Sequence, residues 1–358
     1  MLEARFTLSL PGGFHLEAAL NTGAGRVTAL FGPSGAGKST LANCLAGLLR
    51  PEAGRIVLDG EVLFDSATVI NLPPNRRRIG YVFQDARLFP HLTVVRNLEY
   101  GLSRTPVAQR RVALDQVIDL LDIQPLLHRR PGTLSGGEKS RVAFGRAVLT
   151  SPRLLIFDEP LASLDGARKS EILPFIERLR DELGIPMIYV SHAVEEIVRL
   201  ADEVAVIDRG RILRTGPTVD TLNAETIAHA VNEDPGSVIE AVVARADAGD
   251  GLTALSVNGG QLFVPHLPLA DGAHIRLRIR ARDVALARTR PTDVSILNIL
   301  PARVTGVVDG PAAQADVALD IGAPLWARIT RRSARELQLA PGSEVYALIK
   351  SVAIDRGA

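Results

Sequence analysis

Nine consecutive residues near the start of the chain combine glycines with a lysine and the two hydroxyl side chains that follow it. They are Gly32, Pro33, Ser34, Gly35, Ala36, Gly37, Lys38, Ser39 and Thr40. Glycines let backbone amides converge on phosphate oxygens, Lys38 can bridge the β- and γ-phosphates, and the Ser39 hydroxyl can ligate Mg²⁺. A predicted strand precedes the segment, and a predicted helix follows with its positive N-terminal end. The segment therefore predicts a nucleoside triphosphate site.

Two acidic residues follow a short apolar run further along the chain. Asp158 and Glu159 come directly after Leu-Leu-Ile-Phe at 154–157, a run typical of a buried strand. At the end of that strand, Asp158 is expected to hold Mg²⁺ through water. Glu159 can then polarise the water that attacks the γ-phosphate, as general-base catalysis requires. The pair predicts ATP hydrolysis beside the glycine-rich loop.

A second glycine-containing segment precedes another helical run. Ser135, Gly136 and Gly137 stand directly before residues 138–149 and make a second anion-binding helix N-terminus. A single ATP site does not need two anion-binding helix N-termini. The economical solution is a head-to-tail homodimer in which each chain's glycines cap the γ-phosphate held by its partner's Lys38. Hydrolysis is then expected to require dimerisation.

The elements that must position these residues are typical of an α/β domain. Continuous apolar runs separated by helical stretches predict a buried parallel sheet, with strands at 26–31, 154–157, 187–190 and 204–207. A helix is predicted over 39–49, and Asp59-Gly60 between two apolar runs predicts a hairpin. Between 84 and 134 no strand is predicted and segments such as 107–121 favour helix, which indicates a helical insertion.

After about residue 235 the pattern changes to alternation. Polar and apolar residues alternate at 274–280, 302–308 and 344–349 between Gly and Pro residues, which predicts a second, all-β domain. The expected organisation is an α/β ATPase domain over 1–234 with a helical subdomain at about 85–150. A smaller, OB-like β-barrel domain is expected over 235–358, with its last segment at about 291–358.

Composition and charge limit the class of partner. The 358 residues include 41 Lys plus Arg and 40 Asp plus Glu, so the net charge gives no reason to expect nucleic acid. The single cysteine, Cys44, excludes an internal disulfide framework and is expected to be buried. The basic stretch at 75–78 is expected to be a solvated loop. No apolar segment has the length that crosses a bilayer, so a cytosolic or peripheral protein is expected.

In this order the motifs resemble those of the ATP-binding-cassette family. The chain carries a Walker A loop at 32–40, a signature at 134–138 and a Walker B strand with its carboxylates at 154–159. The resemblance covers nearly the whole first domain. It implies ATP and Mg²⁺ as cofactors.

The same resemblance implies three further site residues. Gln84 is similar to the Q-loop glutamine that senses Mg²⁺ and the helical insertion, and Asp165 to the D-loop residue that communicates across the dimer. His192 is similar to the switch histidine that contacts the γ-phosphate. Catalytic roles are implied for Glu159, His192 and Gln84, and Mg²⁺ contacts for Ser39, Gln84 and Asp158. Phe14 is the candidate for stacking on adenine.

The β-rich extension resembles that of ATPase subunits of bacterial importers. Such subunits dock under membrane permeases, which receive cargo from solute-binding proteins. The last segment is similar to the small barrel of molybdate importers, in which Ser295, backbone groups of Asn298, Lys350 and Ser351 could donate hydrogen bonds to a tetrahedral dianion. Leu297 stands where that pattern tends to carry Arg. The resemblance implies an ATPase at the cytoplasmic face of the inner membrane, energising oxyanion uptake, with molybdate or tungstate as a ligand of the C-terminal domain.

Three other interpretations remain open from the sequence. The cargo could be sulfate, iron, a sugar or a polyamine. The chain could be a cassette ATPase acting on DNA or ribosomes, although one P-loop, a short insertion and a neutral charge disfavour this. It could be an oxyanion-binding regulator with a degenerate cassette. This is disfavoured because the cassette keeps its functional residues, Lys38, Asp158, Glu159 and His192.

Overall fold

A computed structural model describes residues 1–222, 236–310 and 312–350 of the chain, and the backbone of 354–355. The chain divides into two compact units, Met1–Pro217 and Thr218–Gly357. The domain boundary expected at residue 235 borders a stretch outside the described residues, so that boundary stays a prediction. An α/β unit followed by an all-β unit confirms the predicted fold class.

The first unit is built on one mixed sheet. Its strands are β1 Leu2–Ser9, β2 His15–Thr22, β3 Val27–Phe31, β4 Ala53–Leu58, β5 Glu61–Asp65, β6 Ile70–Asn71, β7 Ile79–Val82, β8 Leu154–Asp158, β9 Met187–Val190, β10 Glu203–Asp208 and β11 Arg211–Pro217. Its helices are α1 Lys38–Ala46, α2 Val94–Leu102, α3 Leu114–Leu120, α4 Gly136–Val148, α5 Gly166–Leu183 and α6 Val194–Leu200.

The strand order places the predicted motifs at one edge of the sheet. Strands run in the order β6-β5-β4-β1-β2-β11-β10-β3-β9-β8-β7, and β10, β3, β9, β8 and β7 are mutually parallel. Strands β3 and β9 are buried along their whole length, as expected for parallel strands covered on both faces. The carboxyl ends of parallel strands form the edge at which α/β proteins bind ligands.

The hairpin and the helical insertion agree broadly with the predictions from the sequence. Asp59 and Gly60 both have positive φ, 50° and 80°, between β4 and β5, which confirms the hairpin. All residues from 83 to 153 are described, and none lies in a strand. The segment 107–121 is not one helix, because only Val107–Gln109 forms a 3₁₀ turn before α3. The intervening Arg111 amide donates to the Ser151 hydroxyl at 3.0 Å instead of to a helical carbonyl.

The expectation of a solvated loop at 75–78 is wrong for one residue. Arg77 is fully buried, and its guanidinium donates to the carbonyl oxygens of Leu72, Cys44 and Leu45 and to Oδ1 of Asn71. Two of these acceptors belong to the last turn of α1, where a cation is favoured by the helix dipole. The arginine therefore satisfies carbonyl oxygens at the C-terminal end of the helix that begins at the glycine-rich loop.

The second unit is all-β apart from short helical turns in its described part. Its strands are β12 Gly236–Arg245, β13 Leu252–Val257, β14 Gly260–Pro265, β15 His274–Arg280, β16 Val284–Ala287, β17 Asn298–Asp309, β18 Gln314–Asp320, β19 Pro324–Thr330, β20 Glu344–Ile349 and β21 Ile354–Asp355, with helices α7 Thr218–Thr221 and α8 Arg331–Glu336. They form two five-stranded sheets, β14-β13-β12-β15-β21 and β16-β20-β17-β18-β19. Both sheets contribute to one apolar core.

No helix in the described parts of the chain combines the length and apolarity that spanning a membrane requires.

Candidate active site

Four predicted segments converge where the parallel strands end. The glycine-rich loop follows β3, Asp158 ends β8, and His192 lies two residues after β9. Gln84 is exposed two residues beyond β7, whose Val82 pairs with Phe157 of β8. The topology therefore brings the predicted glutamine, carboxylates and histidine to the edge that carries the loop.

Two glycines are required by the backbone path of the loop. A Cβ on Gly32 would lie 1.9 Å from the carbonyl oxygen of Ile207, so no larger residue fits. Gly37 has φ 106° and directly precedes α1, and a Cβ there would lie 2.7 Å from the Phe14 ring. The half-buried Phe14 thus packs beneath the loop in this structure. The loop delivers the N-terminus of α1 to the sheet edge.

Lys38 is almost completely buried beside the acidic pair. Its Nζ donates to the carbonyl oxygens of Gly32 at 2.9 Å and Pro33 at 3.0 Å, and lies 4.0 Å from Oε1 of Glu159. Burial lowers the pKa of Lys38, and the negative charges of Glu159 and Asp158 oppose that shift. The ammonium group is folded back over the loop, within reach of an anion seated there.

Asp158 lies between two hydroxyl groups. Its Oδ1 accepts from Ser39 at 2.7 Å, and its Oδ2 accepts from Tyr81 at 2.8 Å. A serine hydroxyl in contact with a carboxylate, beside the amide-bearing Gln84 segment, provides oxygen ligands of the kind that suit Mg²⁺. The residues present therefore fit a magnesium site that is completed by phosphate oxygens and water.

Glu159 adopts an unusual backbone conformation. Its φ is 48°, in the left-handed region that few non-glycine residues occupy, and its amide donates to the carbonyl oxygen of Val190 at 3.0 Å. The turn directs its carboxylate toward two predicted site residues. Oε2 lies 3.6 Å from Nδ1 of His192, and Oε1 lies 4.0 Å from Nζ of Lys38. Glu159, His192 and Lys38 therefore form one cluster.

A buried carboxylate supports the loop that carries His192. Oε2 of Glu196 accepts from the hydroxyls of Tyr189 at 2.9 Å and Ser191 at 2.8 Å, and Oε1 lies 2.8 Å from Nζ of Lys169. The Ser191 hydroxyl also accepts from the Ala193 amide at 3.0 Å. Burial and the Glu196 charge raise the pKa of Tyr189, which keeps its hydroxyl a donor. This network ties the histidine loop to α5.

The signature residues form a well-capped helix start. Ser135 and Glu138 make a reciprocal capping box, in which the Ser135 hydroxyl accepts from the Glu138 amide and the Glu138 carboxylate accepts from the Ser135 amide. A Cβ on Gly136 would lie 3.2 Å from Leu164, and one on Gly137 would lie 3.1 Å from Ile172. The two glycines therefore let α4 start in close contact with the region of α5.

Asp165 has a local structural role in addition to its predicted one. Its side chain caps α5 by accepting from the Arg168 amide at 3.0 Å, and it is exposed. The α5 helix that it begins also carries Lys169 of the Glu196 network. Asp165 and the histidine loop are therefore connected through one helix.

In the second unit, strand register relates two of the predicted oxyanion contacts. Asn298 pairs with Ile349, which the exposed Lys350 directly follows in the chain, and the exposed Ser295 lies three residues before β17. The Asn298 side chain is buried and makes two hydrogen bonds to the backbone of Phe263. Its Oδ1 accepts from the Phe263 amide at 2.7 Å, and its Nδ2 donates to the Phe263 carbonyl oxygen at 3.0 Å. Ser351 lies outside the described residues.

Sequence reasoning missed Arg77, Tyr81 and Glu196. Arg77 stands in a run of three arginines, and nothing in a polar run marks which member is buried. Tyr81 and Glu196 lie three residues before Gln84 and four after His192, and each contacts a carboxylate or a loop of the site. Their proximity in sequence to predicted site residues was the available signal.

Comparison with known proteins gives the family. The family model described as "ABC transporter" matches residues 17–162, and that of the TOBE domain matches residues 294–355. The chain is 50% identical over 347 residues to the molybdenum import ATP-binding protein ModC of Mesorhizobium japonicum, which covers 96% of this chain and 94% of the relative. The chain belongs to the ATP-binding-cassette transporter family. It is an ATP-hydrolysing subunit of such a transporter.

Two further relatives in the family match over nearly their whole length. ModC 1 of Azotobacter vinelandii is 50% identical, covering 99% of this chain and 98% of the relative, and ModC of Pseudomonas aeruginosa is 49% identical, covering 99% of both. Among solved structures, CbiO1 of Clostridium perfringens, part of an ABC transporter complex, is 29% identical with a TM-score of 0.53, covering 61% of this chain and 89% of that one. The dimeric cassette MJ0796, bound to ADP and phosphate, is 25% identical with a TM-score of 0.50, covering 61% and 99%.

Proposed function

We propose that this chain is the ATPase subunit of a bacterial importer that energises the uptake of molybdate. The observation that carries the proposal is the identity of about half of all residues, over nearly the full chain, to several molybdenum import ATP-binding proteins. That match includes the β-rich second unit as well as the cassette. A cassette ATPase acting on DNA or ribosomes is disfavoured by the same extent of match.

The residues at the sheet edge have different roles in ATP hydrolysis. Lys38 and the amides of Gly32–Thr40 bind the phosphates, and Ser39, Asp158 and Gln84 would hold Mg²⁺, which supplies electrostatic stabilisation of the phosphoryl group when bound. Glu159 accepts a proton from the attacking water, because its carboxylate lies near both Lys38 and His192. His192 contacts the γ-phosphate. The Glu196 network fixes the loop from which His192 extends.

Hydrolysis requires two copies of the chain in this proposal. Ser135, Gly136 and Gly137 begin a helix whose N-terminal amides cap the γ-phosphate held by the partner subunit, and Asp165 communicates between the two sites. Support comes from the second anion-binding helix start and from the dimeric form of the similar cassette MJ0796. The arrangement predicts that ATP binding and dimerisation are linked.

The membrane permease contacts the helical insertion. A groove of about 490 Å³ lies beside β7 and α2, lined by aromatic rings and arginines that include Phe83, Phe89, Tyr100, Arg87 and Arg146. Guanidinium groups stack on rings here, since Arg87 lies 3.9 Å from the centroid of Phe83. Aromatic and arginine side chains are enriched at protein interfaces. We assign this groove to a cytoplasmic segment of the permease, with the ATPase held at the inner face of the membrane and a solute-binding protein delivering cargo outside.

The second unit takes an oxyanion, molybdate or tungstate, in the same proposal. Its support is the pairing of Asn298 with Ile349, which brings Lys350 next to the strand that Ser295 precedes. Calorimetry on the full chain with molybdate, tungstate and sulfate tests this assignment. Selective binding of molybdate and tungstate is expected. Equal binding of all three anions, or no binding, would contradict the oxyanion assignment and would leave the proposed ATPase activity unaffected.

The transport function is tested by uptake in the source bacterium. A strain deleted for this chain is complemented with the wild type or with Glu159→Gln, and uptake of radioactive molybdate is measured with and without excess tungstate or sulfate. We expect the wild type alone to restore uptake, and tungstate to compete better than sulfate. Unchanged molybdate uptake in the deletion strain, with loss of sulfate, iron, sugar or polyamine uptake, would replace molybdate by that cargo.

A further inference from the structure

The hydroxyl group of Tyr81 contacts the second oxygen of the Walker B carboxylate. Tyr81 lies on β7, three residues before Gln84, with its hydroxyl 2.8 Å from Oδ2 of Asp158 and 3.1 Å from Oδ1 of Asn43. The shorter contact and the charge of the carboxylate assign the single hydroxyl proton to Asp158. Asn43 belongs to α1, so the tyrosine hydroxyl stands where three elements of the site meet.

The two hydrogen bonds on Asp158 come from different kinds of group. The Ser39 hydroxyl, which donates to Oδ1, is itself a predicted ligand, and its oxygen could ligate a metal while its proton still donates to Asp158. The Tyr81 hydroxyl, which donates to Oδ2, lies outside the predicted ligand set, so its contact with the carboxylate would serve orientation only. Partners that hold a ligand's other oxygen orient it and tune metal affinity.

The hydroxyl is not explained by packing alone. The Tyr81 ring contacts Phe83 at 4.3 Å between centroids, and a phenylalanine would keep that contact. A phenol hydroxyl is protonated in the physiological range, so Tyr81 acts as the donor in its 2.8 Å contact with Asp158. What tyrosine adds over phenylalanine at this position is the hydrogen bond to the carboxylate.

We propose that Tyr81 is a positioning residue, which holds Asp158 in the orientation that binds Mg²⁺ with the nucleotide. The inference rests on the proposed Mg²⁺ site. It assigns to Tyr81 an effect on metal affinity, with no direct contact to nucleotide or metal. Its removal therefore changes the Mg²⁺ requirement more than the binding of free nucleotide.

The test uses the full chain carrying Glu159→Gln, so that bound ATP is not consumed. Binding of a fluorescent ATP analogue is titrated at increasing Mg²⁺, with and without the added substitution Tyr81→Phe. We expect the Mg²⁺ concentration at half-maximal binding to rise about 10- to 100-fold, the range found for lost partners of metal ligands, while binding in EDTA changes less than about twofold. An unchanged Mg²⁺ midpoint would overturn the inference.

Tyr346→Phe is the control. It removes a tyrosine hydroxyl from β20 of the second unit, and it leaves Asp158 and the His192 loop untouched. Its Mg²⁺ midpoint is expected to match that of the parent. A rise equal to that of Tyr81→Phe would assign the effect to the general loss of a tyrosine hydroxyl and would overturn the inference. If the parent itself gains no affinity from Mg²⁺, the proposed metal site fails first.

A measurement on the unsubstituted tyrosine covers the case in which Tyr81→Phe does not fold. The chain has four tyrosines, so fluorotyrosine labelling gives four ¹⁹F resonances. Those of Tyr100, Tyr189 and Tyr346 are assigned by single Phe substitutions, which leaves Tyr81. With nucleotide saturating, adding Mg²⁺ is expected to shift the Tyr81 resonance more than that of Tyr346, and a Tyr81 resonance that does not move would contradict the proposal.

Discussion

Replacing the buried Arg77 by methionine is expected to destabilise the first unit strongly. The guanidinium donates four hydrogen bonds, to carbonyl oxygens of Leu72, Cys44 and Leu45 and to Asn71, at 2.8 to 3.0 Å. At a net stabilisation of about 1 kcal/mol for each bond, the loss is about 4 kcal/mol. For a unit of this size that corresponds to a fall in Tm of roughly 8–16 °C.

The neighbouring arginine provides the matched control. Arg76 is exposed, so Arg76→Met is expected to change stability by less than about 0.5 kcal/mol. Arg77→Lys keeps the charge but loses the planar fork, and an intermediate loss is expected because an ammonium group cannot reach all four acceptors.

Two signals separate the units in a urea titration. Far-UV circular dichroism follows the helices, most of which lie in the first unit, and fluorescence of the single tryptophan, Trp326, follows the second. Arg77→Met is expected to move the helix transition to lower urea. If Arg77→Met unfolds at the same urea concentration as Arg76→Met, or if only the Trp326 transition moves, the reasoning is refuted.

Two further predictions concern buried groups beside the site. Burial raises the pKa of Cys44 to about 12 from an ordinary 9.0. Between these two values the folded state keeps the thiol proton, whereas the unfolded chain loses it. The free energy of unfolding should therefore fall between pH 9 and 12 by up to about 1.4 kcal/mol per pH unit. At pH 8 the native thiol should not react with Ellman's reagent within an hour but should react at once in denaturant, and fast native reaction would contradict the burial. Glu196→Gln should weaken the bonds to Lys169 and Tyr189 and lower kcat for ATP about tenfold, about 1.4 kcal/mol, with KM within a factor of two. A change in KM alone would contradict a role through the His192 loop.

Much of the site is predictable because its chemistry is local in sequence. The glycines of the loop are fixed by backbone geometry, and Gly32 cannot carry a Cβ beside Ile207. Continuous apolar runs predict β3, β8 and β9, and parallel strands place the residues that follow them at one edge. For this reason the sequence pattern groups Lys38, Asp158 and Glu159 in one site, and the family resemblance adds His192.

The features that sequence does not predict depend on tertiary context. The burial of Arg77 is decided by the position of the end of α1, which lies more than thirty residues away in the chain. The break in the 107–121 segment depends on a hydroxyl from Ser151 that a helical pattern does not contain. The buried Asn298 side chain holds the Phe263 backbone, which lies thirty-five residues earlier in the chain. Each case is a polar group whose partner comes from a distant segment.

The most direct test of the account is the behaviour of Glu159→Gln with ATP and Mg²⁺. Its side chain keeps the size of the glutamate near Lys38 and His192 but loses the carboxylate that accepts the proton from water. Sedimentation velocity and phosphate release are measured on the same samples, with the wild type as control. We expect the variant to bind ATP, to accumulate as a dimer and to lose more than about 99% of its turnover, which is the scale of general-base catalysis. Wild-type turnover in the variant, or a monomer at saturating ATP, would contradict it.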